Sequence, residues 1–142
     1  MVLILDFGSQ VTQLIARRVR ELHLYCEIKP YNDFELTKEV EAIILSGSPF
    51  SVLDDEALHV DLDRILEHGP VLGICYGAQY LAYAKGGQVE QSDSREYGRA
   101  ELSRFADRND PILYNIEKSS AVWMSHGDTI SELPSIFHPV AG

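Results

Sequence analysis

Three uninterrupted apolar runs constrain this chain most: Val2-Leu3-Ile4-Leu5, Ala42-Ile43-Ile44-Leu45 and Val71-Leu72-Gly73-Ile74. A strand with one wet face alternates apolar and polar residues. A run that is apolar at every position has to be covered on both sides, which is the situation of strands in a parallel sheet. Between the runs the period changes. From Gln10 to Leu22 the apolar positions 11, 14, 15, 19 and 22 keep helical spacing, and Leu58, Leu62, Ile65 and Leu66 mark another helix, stopped by Gly69-Pro70. A further strand is expected near residues 24 to 30. The run into Cys75 is strand four, followed by a helix from Tyr76 that stops at Gly86-Gly87, and Gln88 to Phe105 and Ala121 to Ser125 read as shorter strands. This alternation predicts an α/β fold, doubly wound, with a mostly parallel sheet and helices on both faces. In such a fold sites gather at the carboxyl ends of the strands, where Asp6-Phe7-Gly8, Ser46-Gly47-Ser48-Pro49 and Cys75 fall.

The stretch Gly73-Ile74-Cys75-Tyr76-Gly77-Ala78-Gln79 sets one cysteine on a glycine-flanked turn between a buried strand and a helix. That is the pattern of a nucleophile elbow, which holds its reactive atom above the sheet edge and toward solvent. Glycines at 73 and 77 are expected because the turn leaves no room for bulk, and because glycine tolerates strained backbone angles. The positive end of the following helix favours thiolate over thiol. The plainer role of a cysteine is to pack as a small hydrophobe, and Cys26, inside Tyr25-Cys26-Glu27-Ile28, fits that role. A thiolate attacking a carbonyl needs N–H donors for the developing oxyanion. The turn Ser46-Gly47-Ser48-Pro49 supplies the backbone amides of Gly47 and Ser48, and the residue after the nucleophile, Tyr76, supplies another.

The 142 residues fit a single domain, 1–142, that can build a core without disulfide or metal staples. No metal site is expected. No charged segment followed by an apolar one opens the sequence, and no apolar run nears membrane-spanning length, so a soluble cytoplasmic protein without membrane contact is expected. A net charge of −10 and a pI near 4.8 argue against nucleic-acid binding, because phosphate backbones reward clustered Lys and Arg. The one basic cluster, Arg17-Arg18-Arg20, reads as a solvated helix face first and a docking patch second. No Gly-x-x-x-x-Gly-Lys phosphate loop is present, so no ATP or nucleotide site is expected on this chain.

In order along the chain, Leu5-Asp6-Phe7-Gly8-Ser9-Gln10, Ala16-Arg17-Arg18-Val19-Arg20-Glu21, Gly73 to Gln79, Arg95-Glu96-Tyr97-Gly98-Arg99-Ala100 and Trp123-Met124-Ser125-His126-Gly127-Asp128 carry a resemblance. Through these stretches the sequence resembles the class I glutamine amidotransferases, which have a flavodoxin-like core. The first, second and fourth stretches are particular to the branch that serves purine nucleotide synthesis. The resemblance implies that Cys75 attacks the carboxamide of glutamine and forms a γ-glutamyl thioester. Ammonia leaves for a synthetase site and water releases glutamate. It further implies that Gln79, Ser125, Gly127 and Asp128 line the glutamine pocket, against a surface role for Gln79 and a turn-capping role for Asp128. The expected partner is an ATP-pyrophosphatase synthetase domain or subunit that holds ATP and Mg2+ and aminates adenylylated xanthosine monophosphate to GMP, with a homodimer formed through that domain.

The family pattern is not complete here. It needs a histidine to move protons, oriented by a glutamate in a His-Pro-Glu motif, and His138-Pro139 is followed by Val140. His138 is therefore read as a surface or turn residue, His126 as part of the pocket motif, and His23, His59 and His68 as solvent-facing. The chain is expected to stop before the dyad and to be nearly inactive by itself. A second departure is Ser48 in the usual place of glycine. If the backbone there needs positive φ, serine adds strain of about 1 kcal/mol or more. The rival readings are another cysteine hydrolase on the same elbow and a dyad-lacking glutamine-sensing or scaffold module. Receiver-like and FMN-binding folds lack their acidic or hydroxyl-rich loops here.

Overall fold

In the computed structural model, β1 (Val2–Asp6) is the centre of a parallel sheet, pairing with β2 (Cys26–Pro30) on one side and β3 (Ala42–Leu45) on the other. The structure describes residues 1–102, 110–117 and 119–142, with the side chains of residues 92–97, 125 and 126 outside that description. β3 pairs in turn with β4 (Val71–Gly73), giving the order β2-β1-β3-β4. Alternate residues of the apolar runs go to opposite faces. Leu3, Leu5, Ile43 and Leu45 enter a cluster with Ile65, Tyr76 and Tyr80, while Ile4 and Ile44 enter another with Ala16 and Cys26. α1 (Thr12–Glu21) thus covers one face, and α2 (Leu62–His68) and α3 (Tyr76–Ala84) cover the other. Each fully buried Leu or Ile contributes about 1.5–3 kcal/mol, and this is why the runs carry no polar residue.

The order of the strands reverses between β1 and β3. In doubly wound sheets that switch point opens a crevice at the strands' carboxyl ends. The helix ends follow local chemistry: the Asp61 carboxylate caps α2 by accepting from the Arg64 N–H at 3.1 Å, and Gly69 ends it. α1 is closed off by His23, whose φ of 59° lets Leu22, His23 and Leu24 donate back to Val19 and Arg20 carbonyls.

Residues 31–41, to which the sequence assigns no element, join β2 to β3 without a helix. They turn at Asp33, whose N–H donates to the Pro30 carbonyl at 3.1 Å, and then cross the sheet, placing Val40 in the core with Tyr31, Phe34 and Leu36 against it. Scattered apolar residues among turn formers are enough to cover the sheet without a helix. The run at 71–74 is not covered on both sides: β4 pairs only with β3 among the described residues, and Leu72 is 42% exposed.

β5 (Gln88–Leu102) and β6 (Ser120–Glu132) make a separate antiparallel pair, and the expected end of the first at Phe105 lies outside the described residues. β6 continues past Ser125 to Glu132, because cross-strand pairing with β5 outweighs the poor strand propensity of Gly127 and Asp128. Val89 and Ile130 fasten this pair to the α3 side of the core. No helix among the described residues is long and apolar enough to cross a membrane.

Candidate active site

β4 ends at Gly73 and α3 starts at Tyr76, so Ile74 and Cys75 alone make the turn. The Ile74 N–H donates to the Leu45 carbonyl at 3.0 Å, and the Gly77 N–H donates to the Ser46 carbonyl at 3.1 Å. Held at both ends, Cys75 takes φ 53° and ψ −114°, a region that costs a side-chain-bearing residue about 1–3 kcal/mol and is kept only where the surroundings enforce it. The turn leaves Cys75 exposed, whereas Tyr76 beside it is fully buried.

The flanking glycines act through space and not through backbone angle. A Cβ on Gly73 would lie 2.7 Å from the Ala78 nitrogen, and one on Gly77 would lie 2.7 Å from Leu45 Cβ, yet neither glycine has positive φ. The left-handed angle belongs to the cysteine. This corrects the expectation that glycine supplies the strained angles here.

The turn after β3 lies beside the sulfur-bearing residue. A Cβ on Gly47 would sit 3.5 Å from Cys75 Cβ and 3.3 Å from Ser9 Oγ. Ser46 anchors the turn: its hydroxyl accepts from the Phe7 N–H and donates to the Gly47 carbonyl, each at 3.0 Å, while its own N–H donates to the Leu5 carbonyl. The N–H groups of Gly47, Ser48 and Tyr76 meet no acceptor among the described residues. Ser48 is not at positive φ, so the strain foreseen for serine in place of glycine does not arise. Its hydroxyl accepts from the Phe50 N–H at 3.2 Å and closes a small turn.

Two stacked tyrosines seat the helix. The Tyr76 hydroxyl donates to the Leu58 carbonyl and accepts from its N–H, both at 2.9 Å, and Tyr80 does the same with Val60. Burial pushes the Tyr76 phenol above its ordinary pKa, so it stays protonated and keeps donating.

One helical turn after Cys75, Gln79 is buried at 8% exposure, and its Nε2 donates to the Asp128 carbonyl at 2.9 Å. A surface role for Gln79 is thereby excluded. Asp128 is 9% exposed and lies within β6 opposite Gln91, so it caps no turn, and its carboxylate accepts from the Ser51 hydroxyl. Gly127 sits at a register shift, with open space where a Cβ would be. Ser125 pairs with Tyr97 in the ladder, and its side chain and that of His126 lie outside the described residues.

The other histidines have surroundings of their own. His23 closes the end of α1, His59 lies 6.0 Å from the Tyr80 ring, and His138 is exposed on the segment after β6. His68, expected to face solvent, is half-buried with Nε2 2.9 Å from the Val40 carbonyl oxygen. Among the described residues no group of three or more His, Cys, Asp or Glu could hold a metal. Sequence reasoning placed Ser46 in the turn without its anchoring bonds, and missed Ser51. The hydroxyl-rich run from 46 to 51 was a signal for turn chemistry, but the partner of Ser51 is 77 residues away.

The two thiols should be separable by a disulfide reagent. Cys75 is exposed, whereas Cys26 is 2% exposed with Sγ 3.6 Å from the Ala16 carbonyl. One thiol is expected to react at once in the folded protein, and the second at least about a hundredfold more slowly, after local opening. Peptide mapping that assigned the fast thiol to Cys26 would contradict the described turn.

Residues 3–141 match the profile of the family described as glutamine amidotransferase class-I. The chain is 57% identical over 141 residues to the "GMP synthase [glutamine-hydrolyzing]" of Phocaeicola vulgatus, a match that covers 99% of this chain and 27% of that protein. It is 53% identical to the protein of the same name from Porphyromonas gingivalis strain W83, covering 99% of this chain and 28% of the relative. The chain thus spans about a quarter of the length of these curated relatives. Among solved structures, a protein from Thermoplasma acidophilum described as one subunit of a GMP synthase superposes with TM-score 0.77 at 27% identity, over 99% of this chain and 71% of that one. A glutamine amidotransferase from Thermotoga maritima shares the fold, with TM-score 0.72 at 21% identity over 99% and 65% of the two chains. The profile match spans both the elbow at Cys75 and the strand that ends the site at Asp128, and with it this chain belongs to the class I glutamine amidotransferase family.

Proposed function

We propose that this chain is the glutamine-hydrolysing part of a GMP synthase. The observation that carries the reading is the exposed, strained Cys75 with the Gly47 turn packed against it. The Cys75 thiolate attacks the side-chain carboxamide carbon of glutamine. The carbonyl electrons move onto oxygen, where the N–H groups of Tyr76 and of Gly47 or Ser48 stabilise the charge. Collapse of this intermediate breaks the C–N bond, and the nitrogen leaves as ammonia once a proton reaches it. Water then attacks the thioester, releasing glutamate and regenerating the thiol. Gln79, Ser125, Gly127 and Asp128 form the pocket, and the buried bond from Gln79 to Asp128 supports that grouping.

The ammonia passes to a synthetase domain of the longer protein, where ATP and Mg2+ activate xanthosine monophosphate for amination to GMP. The name shared by the curated relatives supports this coupling. No part of the present chain is assigned to ATP or to a metal. We propose that residues 1–142 act as one domain with that synthetase as partner, in the cytoplasm.

A chloroketone analogue of glutamine tests the site directly, because the thiolate displaces chloride and stays alkylated at Cys75. Labelling is expected to saturate with reagent and to be slowed by glutamine; unsaturable labelling, indifferent to glutamine, would remove the pocket. Glutamine turnover by residues 1–142 alone is expected to fall short of a complete enzyme by about 10²–10⁴, the usual worth of a general acid–base. Turnover matching a complete enzyme would instead assign the base to His126 or His138.

A further inference from the structure

We infer that Ser51 is a positioning residue of the glutamine pocket, its hydroxyl locking the loop after β3 onto the carboxylate of Asp128; this rests on the pocket being the glutamine site proposed above. Three serines shape this loop, and they differ in reach. Ser46 anchors it to the neighbouring segment at Phe7, and Ser48 acts within the loop, closing the turn at Phe50. Among the described residues, Ser51 is the one of the three that bonds to β6, the strand that carries Gly127 and Asp128.

Its own geometry is fixed from several sides. The Ser51 N–H donates to the Asp54 carboxylate at 2.7 Å, and the hydroxyl oxygen accepts from the Leu53 N–H at 3.1 Å. Val52, the next residue, is 3% exposed and belongs to the main core, so the backbone here cannot drift. Asp128 is fixed at both ends: α3 holds its carbonyl through Gln79, and the loop holds its carboxylate through Ser51. The helix that follows Cys75, the loop that carries the Gly47 and Ser48 amides, and the pocket strand are therefore tied to one another by side-chain hydrogen bonds. Without the hydroxyl, a largely buried carboxylate loses a donor and has to turn elsewhere for one. The position of the pocket wall changes, while the elbow that sets the thiol is built from other contacts.

The test compares two alkylating reagents on the full 142-residue chain. In Ser51→Ala, the chloroketone concentration giving half-maximal labelling of Cys75 is expected to rise about tenfold, as for one lost charge-assisted hydrogen bond. The rate with iodoacetamide, which needs no pocket, should stay within about twofold of the parent. Because Ser51→Ala can also loosen the fold, Ser51→Thr and Ser51→Val are compared, which differ only by hydroxyl against methyl. Threonine should restore the parent saturation and valine should not. Parent-like saturation in Ser51→Ala and Ser51→Val overturns the proposal, as does an equal change with both reagents. If the parent chain itself fails to saturate or is not protected by glutamine, the glutamine reading fails first.

Discussion

Replacing Cys75 with glycine is expected to end covalent labelling by the glutamine chloroketone and, at the same time, to leave the protein more stable than the alanine variant. The nucleophile sits at φ 53° and ψ −114°, which costs about 1–3 kcal/mol for any residue with a Cβ. Glycine reaches the same angles without that strain, although its freer unfolded chain returns about 0.5–1 kcal/mol. The Cys75 side chain is exposed, so little apolar burial is lost. Relative to alanine, which loses the sulfur equally, the balance is a gain of about 1 kcal/mol, or about 3 °C in Tm for a domain of this size. Alanine at 75 should remove the chemistry equally without the gain. In a complete enzyme either substitution is expected to reduce glutamine-dependent turnover by on the order of 10⁴ or more, as loss of a covalent nucleophile does. Thermal melts in which the glycine variant is no more stable than the alanine variant would show that the turn is relaxed and that strain has no part in presenting the sulfur.

The second large effect is at Gly77, where two opposing contributions can be weighed. Gly77 lies in the first turn of α3, and alanine there would gain about 1 kcal/mol of helix propensity. The added Cβ, however, would stand 2.7 Å from Leu45 Cβ and closer still to the Leu45 carbonyl. Leu45 is fully buried in β3, so nothing on that side can yield. The helix has to lift off the sheet, at about 3 kcal/mol or more for overpacking against backbone. The clash wins by about 2 kcal/mol, so Gly77→Ala should lower the denaturant midpoint clearly. The lift also stretches the bond from the Gly77 N–H to the Ser46 carbonyl, which couples α3 to the amide turn. Labelling of Cys75 by the chloroketone should therefore slow more than labelling by iodoacetamide. Unchanged stability in Gly77→Ala would mean that α3 can slide on β3, and that small residues at the elbow are not required for space.

Much of this was legible in the chain itself. β1 and β3 follow from Val2-Leu3-Ile4-Leu5 and Ala42-Ile43-Ile44-Leu45, because a strand covered on both faces has no place for a polar residue. Gly69-Pro70 marks the stop of α2, and the Gly-x-Cys-x-Gly spacing puts the thiol on the turn into α3. These are local rules: each residue's neighbours in sequence are also the ones that decide its backbone.

Contacts across the fold obey no such rule. That Leu72 faces solvent depends on what stands beyond β4, and the extension of β6 to Glu132 depends on its partner strand, neither of which is written in the segment concerned. The strained angle at Cys75 arises because two distant carbonyls, of Leu45 and Ser46, hold the turn from either end. The bond from Ser51 to Asp128 exists only because the chain brings residues 77 apart to one place. Short-range periodicity and turn chemistry determined which segments fold and where the sulfur stands. Chain crossings alone decided which polar groups meet around it, since a buried hydrogen bond requires positions that only the assembled sheet and helices supply.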